Sequence, residues 1–149
     1  SLSASLATSN KFLQSATPIN FKGNIDRVDV FNGQYRIIDY KTGFVDSSQL
    51  KSDKLSDLNK KPKILQLLMY SWLLKQQKSY SETPIVSGII NLRASNFTIQ
   101  PCIINNNKIL NSSILNQFEK ELVIIVSKIF DPQETFEHLN RDGVCYFCD

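Results

Sequence analysis

Leu115, Phe118, Leu122, Ile125 and Ile129 recur at steps of three and four, the spacing that gathers side chains on one face of a helix. The pattern predicts an amphipathic helix over 112–130, ended by Asp131-Pro132, with the stripe read as a plain core face. Residues 85–92 are instead an almost unbroken apolar run of strand length, as expected of a central strand covered on both faces. Ala94-Ser95-Asn96 turns the chain into a second strand over 97–104, which Pro101 places at a sheet edge, and 105–107 is another turn. Upstream, Pro62 suits the first turn of a helix over 62–78, and Glu82-Thr83-Pro84 breaks that helix. Extended stretches over 20–31 and 34–41 flank Asn32-Gly33, the strongest short-range hairpin signal in the chain. Residues 42–61 are Ser-, Asp- and Lys-rich and aperiodic, which predicts a mobile loop. Residues 1–19 are mostly Ser, Ala, Thr and Leu, with room for a short helix around Lys11 to Ser15. The order is two strands, helix, two strands, helix and a tail, with no internal repeat. That is an α/β layered protein opening on a hairpin.

The chain has 149 residues, 42% of them hydrophobic, which is enough for one domain with its own core. No apolar run approaches the roughly 20 residues a membrane helix needs, so no membrane partner is expected. Seventeen basic against fourteen acidic residues leave +3, too small to establish a nucleic-acid partner and no obstacle to one. Three cysteines, an odd number, do not make a disulfide framework, and the composition points to a soluble, intracellular protein. The chain starts in a Ser-rich stretch and stops one residue after a Cys-x-x-Cys, so 1–149 reads as a single domain cut from something longer.

A two-residue turn at Asn32-Gly33 sets the hairpin register, so that opposed residue numbers sum to 65. Asp26 then faces Asp39 on one side of the hairpin, with Val28, Ile37 and Lys41 on the same face. Asp29 faces Arg36 on the other side, an ordinary cross-strand ion pair. Two opposed carboxylates repel unless one is protonated or a cation sits between them, and a hard cation such as magnesium or manganese suits such a donor set. Lys41 beside that cation can orient a water or neutralise charge developing on a phosphate. The competing reading is that both carboxylates are solvated on an open sheet face, and a one-residue slip in the turn would undo the pairing.

Gly23-Asn24-Ile25-Asp26-Arg27-Val28-Asp29, followed by Ile37-Ile38-Asp39-Tyr40-Lys41-Thr42-Gly43, resembles the active-site hairpin of the PD-(D/E)XK nuclease superfamily. Gln66-Leu67-Leu68-Met69-Tyr70 is similar to the Gln-x-x-x-Tyr element of its RecB-like, AddB-like branch, and the likeness spans about residues 18–148. Gln66 and Tyr70 are four apart and so share a helix face, while Leu65, Leu68 and Trp72 would pack onto the sheet. The resemblance implies a restriction-endonuclease-like core, a mixed β-sheet flanked by helices. It implies Asp26 and Asp39 as metal ligands with the Tyr40 backbone carbonyl as a third, Lys41 as the catalytic lysine, and Gln66 and Tyr70 as support for site and substrate. The implied cofactor is Mg2+ or Mn2+. The implied activity is DNA exonuclease or nuclease action within a recombination-repair helicase–nuclease, whose helicase domain or subunit would be the partner. Two alternatives share the motifs: a single-domain nuclease of CRISPR adaptation, and a nuclease-like domain that binds DNA or a helicase without cleaving. Lys41-Thr42 is not the end of a nucleotide-binding P-loop, because residue 40 is Tyr and no glycine lies five before it.

Two departures accompany the likeness. The family carries an acidic or histidine metal residue on a helix upstream of the hairpin. Residues 1–19 hold neither, and the single histidine, His138, lies in the tail. The expectation is that the missing ligand lies on a longer chain, and that this piece binds metal weakly and cleaves poorly. Cys145 and Cys148 match the start of the family's iron–sulfur motif, whose cluster needs four thiolates. With Cys102 expected as a small buried hydrophobe, a 4Fe–4S cluster would belong to the full-length protein only, and a zinc site using His138 has half a ligand set. Lys51, Lys54, Lys60, Lys61 and Lys63 are interleaved with Asp53 and Asp57. They read equally as a solvated face or as a track for a phosphate backbone.

Overall fold

Asn32 and Gly33 take φ of 50° and 72°, the two left-handed positions that a tight hairpin turn of the favoured type demands. The turn joins β3 (Arg27–Phe31) to β4 (Gln34–Lys41) in the expected register, Phe31 opposite Gln34 and Arg27 opposite Ile38. The structure is a computed structural model and describes residues 1–6, 18–80 and 83–135. The predicted short helix at 11–15, His138, Cys145 and Cys148 lie outside the described residues.

From β4 the chain crosses through α1 (Pro62–Lys75) and returns as β6 (Ile85–Asn91), parallel to β4 and in register with it, Asp39 beside Ile89 and Lys41 beside Asn91. Pro62 stands in the first turn of α1, where its missing N–H has no helical partner to lose. β7 (Gln100–Pro101) adds antiparallel to β6, giving a mixed four-stranded sheet of order β3-β4-β6-β7. β6 is thus an interior strand and β7 an edge, as the apolar run and Pro101 predict. α2 (Ser112–Ile129) starts where Asn111 accepts a hydrogen bond from the N–H of Ile114.

α1 buries Ile64, Leu67, Leu68, Trp72, Leu73 and Leu74 between sheet and α2. The Ser87 hydroxyl of β6 donates to the Leu67 carbonyl at 3.4 Å. The Trp72 indole N–H donates to Glu119 of α2 at 2.7 Å, and its ring meets Phe21 edge-on at 5.8 Å. These contacts tie helix to helix and both to the sheet, a mixed α/β architecture as expected. Among the described residues no helix is long and apolar enough to cross a membrane.

Four expectations change. Residues near the start form β1 (Leu2–Leu6), antiparallel to β2 (Ile19–Gly23), with Leu6 in the core. The segment 42–61, read as an aperiodic loop, holds 3-10 turns at Ser47–Leu50 and Leu55–Lys60 and a short β5 (Lys51–Ser52) paired with β8 (Ile103–Ile104). It sends Val45, Leu50, Leu55 and Leu58 into the core, which is why it folds. The single strand expected over 97–104 is two short pieces, because Pro101 offers no N–H to a ladder. On α2 the buried stripe is Ile114, Leu115, Phe118, Leu122 and Val126, whereas Ile129 is 57% exposed in the last turn, beyond the surface the helix covers.

Candidate active site

Asp39 points from β4, an interior strand of the sheet, toward α1, on the face that also carries Ile37 and, on β6, Ser87 and Ile89. It is only 3% exposed. Its Oδ2 accepts no hydrogen bond, and Lys41 Nζ lies 2.8 Å from it as an ion contact outside hydrogen-bond alignment. A buried carboxylate oxygen in that state costs free energy unless a cation covers it. Lys41, with a side chain 33% exposed, covers it from the solvent side.

Asp26 does not form the direct cross-strand pair with Asp39 that the register implies. The ladder stops at Arg27 opposite Ile38, and Asp26 sits one residue outside β3 in a bend, exposed. Its Oδ2 instead accepts the backbone N–H of Tyr40 at 2.9 Å. The carboxylate therefore takes the place of the missing strand at the Asp39–Tyr40 peptide. In an extended strand a residue's C=O leaves on the same side as its N–H, so the Tyr40 carbonyl faces the Asp26 edge too. Arg27, next to this bend, pairs with Asp29 at 2.8 Å.

Asp29 is accounted for by its own partners. Arg36 binds both its oxygens, at 2.6 and 2.8 Å, and holds its carboxyl below the usual carboxylate range. Arg36 also lies over the Phe31 ring at 4.6 Å. The expected ion pair is present and is extended by Arg27 into a three-residue cluster.

Gln66 and Tyr70 do share a face of α1: Gln66 Nε2 donates to the Tyr70 hydroxyl at 3.0 Å. A Cβ at Gly23 would come within 3.3 Å of the Tyr70 ring and 2.8 Å of Leu73 Cδ1, so glycine is what lets α1 lie against the end of β2. Gly23 precedes Asp26 by three residues in the chain. Leu68 and Trp72 are buried as expected, and Leu65 is partly so.

Asn91 was not singled out in the sequence. It ends β6 in register with Lys41, is 8% exposed, and its Oδ1 accepts the Arg93 N–H at 2.8 Å. A lone polar residue closing an apolar run is the signal that could have found it.

Among the described residues no three His, Cys, Asp or Glu side chains gather as a metal cluster. The candidate donors are two carboxylates and a backbone carbonyl, all hard oxygens, one of them a buried oxygen with no hydrogen bond. That set fits a magnesium or manganese ion that keeps several water ligands. Cys102 is buried and its thiol is pushed up to about 12 by desolvation, so it is the small buried hydrophobe expected. A family model for the PD-(D/E)XK nuclease superfamily matches residues 3–149. No curated protein and no solved structure matches the chain.

Proposed function

The chain belongs to the PD-(D/E)XK nuclease superfamily, a nuclease domain of restriction-endonuclease-like α/β fold, and from that premise we propose that it is a RecB-like, metal-dependent deoxyribonuclease domain of a recombination-repair helicase–nuclease. The observation that carries the reading is Asp39 buried beneath Lys41, with Tyr70, bonded to Gln66, packed on Gly23 at the end of β2, three residues before Asp26. Asp26, Asp39 and the Tyr40 carbonyl would hold Mg2+ or Mn2+, which when bound lowers the pKa of a coordinated water and offsets charge on the phosphate.

The residues themselves have distinct work. Asp26 keeps the Tyr40 peptide oriented through its hydrogen bond. Asp39, fixed in the sheet interior, holds the Lys41 ammonium at the strand end. Lys41 donates hydrogen bonds to a non-bridging phosphate oxygen, where negative charge grows during hydrolysis. Tyr70, oriented by Gln66, lines the approach to the site. Cys145 and Cys148 would contribute two of the four thiolates of an iron–sulfur cluster in the full-length protein.

A second reading has its own support. With two carboxylates and no third acidic or histidine donor among the described residues, the domain binds metal weakly and holds DNA or a helicase partner without cleaving. Labelled single-stranded and linear duplex DNA incubated with Mn2+ separates the two. Nuclease action appears as fragment release that Lys41→Ala and EDTA abolish. Release that persists in Lys41→Ala contradicts the assignment, and DNA binding without any release favours the second reading.

A further inference from the structure

The five lysines at 51–63 divide into two groups with different surroundings. Lys51, Lys54 and Lys61 line a cavity of about 320 Å³ together with the carboxylates of Asp53 and Asp57. Lys60, Lys61 and Lys63 line a second cavity of about 240 Å³ with Gln49 and Pro62, and no carboxylate is among its described lining residues. Lys61, common to both, spends its ammonium on the Ser48 carbonyl at 3.2 Å. Lys60 is exposed and Lys63 half-buried.

The second group lies level with the active site. α1 runs antiparallel to β4 and β6: Tyr80, just past its C-terminus, packs on Tyr35 near the start of β4, and Leu67 meets Ser87 midway. Lys63 precedes Leu67 by four residues, about 6 Å along the helix. Ile89 follows Ser87 by two residues, about 6.6 Å along the strand. Lys63 is therefore level with Ile89, the residue in register with Asp39. Lys63, Gln66 and Tyr70, at i, i+3 and i+7, also share one helix face, and Tyr70 packs on Gly23 at the end of β2.

We infer that Lys60 and Lys63 form a phosphate-binding subsite for the backbone of the same DNA strand whose scissile phosphate lies at Lys41. The strand passes over the first turn of α1, along the line Tyr70, Gln66, Lys63, and reaches the Lys60 cavity. Lys51 and Lys54 stand off that path. The inference rests on the nuclease reading, and its test uses binding without cleavage so that the two can fail separately.

Affinity for a fluorescent single-stranded oligonucleotide is measured in EDTA over a range of salt. Each phosphate contact removed lowers the magnitude of the slope of log K against log salt by about 0.7. Lys60→Ala and Lys63→Ala should each show that loss, Lys63→Arg should restore it, and Lys51→Ala and Lys54→Ala should match wild type. Wild-type binding with unchanged slope in Lys60→Ala and Lys63→Ala overturns the subsite and leaves the nuclease reading intact. The same loss in Lys51→Ala and Lys54→Ala overturns it as well, since the charge would be diffuse. A wild-type chain with no salt-dependent binding overturns both.

Discussion

Gly88→Ala is the most informative change to the sheet that carries the site. Gly88 sits in β6 opposite Pro101 of β7. A Cβ there would lie 2.5 Å from the Gln100 carbonyl oxygen, 3.0 Å from its carbon and 2.8 Å from Ile99 Cγ1. Backbone cannot swing aside as a side-chain end can, so β7 must move outward by about 1 Å to reach normal contact. Overpacking of this kind costs about 1–3 kcal/mol. The shift also strains the Cys102 N–H bond to the Ser87 carbonyl, 2.7 Å long, for about another 1 kcal/mol. The sum of about 2–4 kcal/mol lowers the melting temperature of a domain this size by about 4–16 °C. Gly43→Ala is the control, because a Cβ there meets nothing within 4 Å. It should change stability by no more than about 0.5 kcal/mol. Thermal and urea unfolding of the two variants give the answer. Gly88→Ala melting with wild type would refute the close approach of β7 to β6.

Further outcomes follow from other contacts. Arg36 holds the folded pKa of Asp29 below its unfolded value of about 3.9. The stabilisation is therefore present above the unfolded pKa and lost as pH falls through the folded one, so the urea midpoint of wild type should drop more steeply on acidification than that of Arg36→Ala; parallel curves would contradict the pairing. Cys102, buried with its thiol raised to about 12, should resist thiol reagents at pH 8 in a Cys145→Ser/Cys148→Ser background and react fully in urea. Rapid labelling of the native chain would place it elsewhere. Glu119→Ala leaves the buried Trp72 indole N–H without its acceptor and should cost about 1–3 kcal/mol, while Glu119→Gln retains most of that stability. Because the chain has one tryptophan, its fluorescence reports the unfolding midpoints directly.

Much of the candidate site's geometry is legible in the sequence, for identifiable reasons. Asn32-Gly33 allows one turn geometry, and that turn fixes the register through Arg27 and Ile38. The position of Asp39 and Lys41 on one face then follows from the alternation of a strand. The 3.6-residue period likewise places Gln66 over Tyr70. What stayed hidden depends on tertiary partners. Leu2, Ala4 and Leu6 alternate with serines, but a strand of such weak formers exists only because β2 pairs with it. Leu50, Leu55 and Leu58 are spaced for 3-10 turns and leave no helical or strand period to detect. The register names the residue facing Asp39 but not the bend that takes Asp26 out of the ladder to the Tyr40 N–H. Asn91 emerges only when β6 is laid beside β4, since nothing local links it to Lys41.

The central claim is that Asp26 and Asp39 form one metal-binding unit beside Lys41. Calorimetric titration with Mn2+ tests it most directly. Wild type should bind at one weak site, and Asp26→Asn and Asp39→Asn should each abolish the heat while leaving the fold intact by circular dichroism. If both variants bind as wild type does, the two carboxylates are not the metal site, and the account of the hairpin as the centre of the chemistry is wrong.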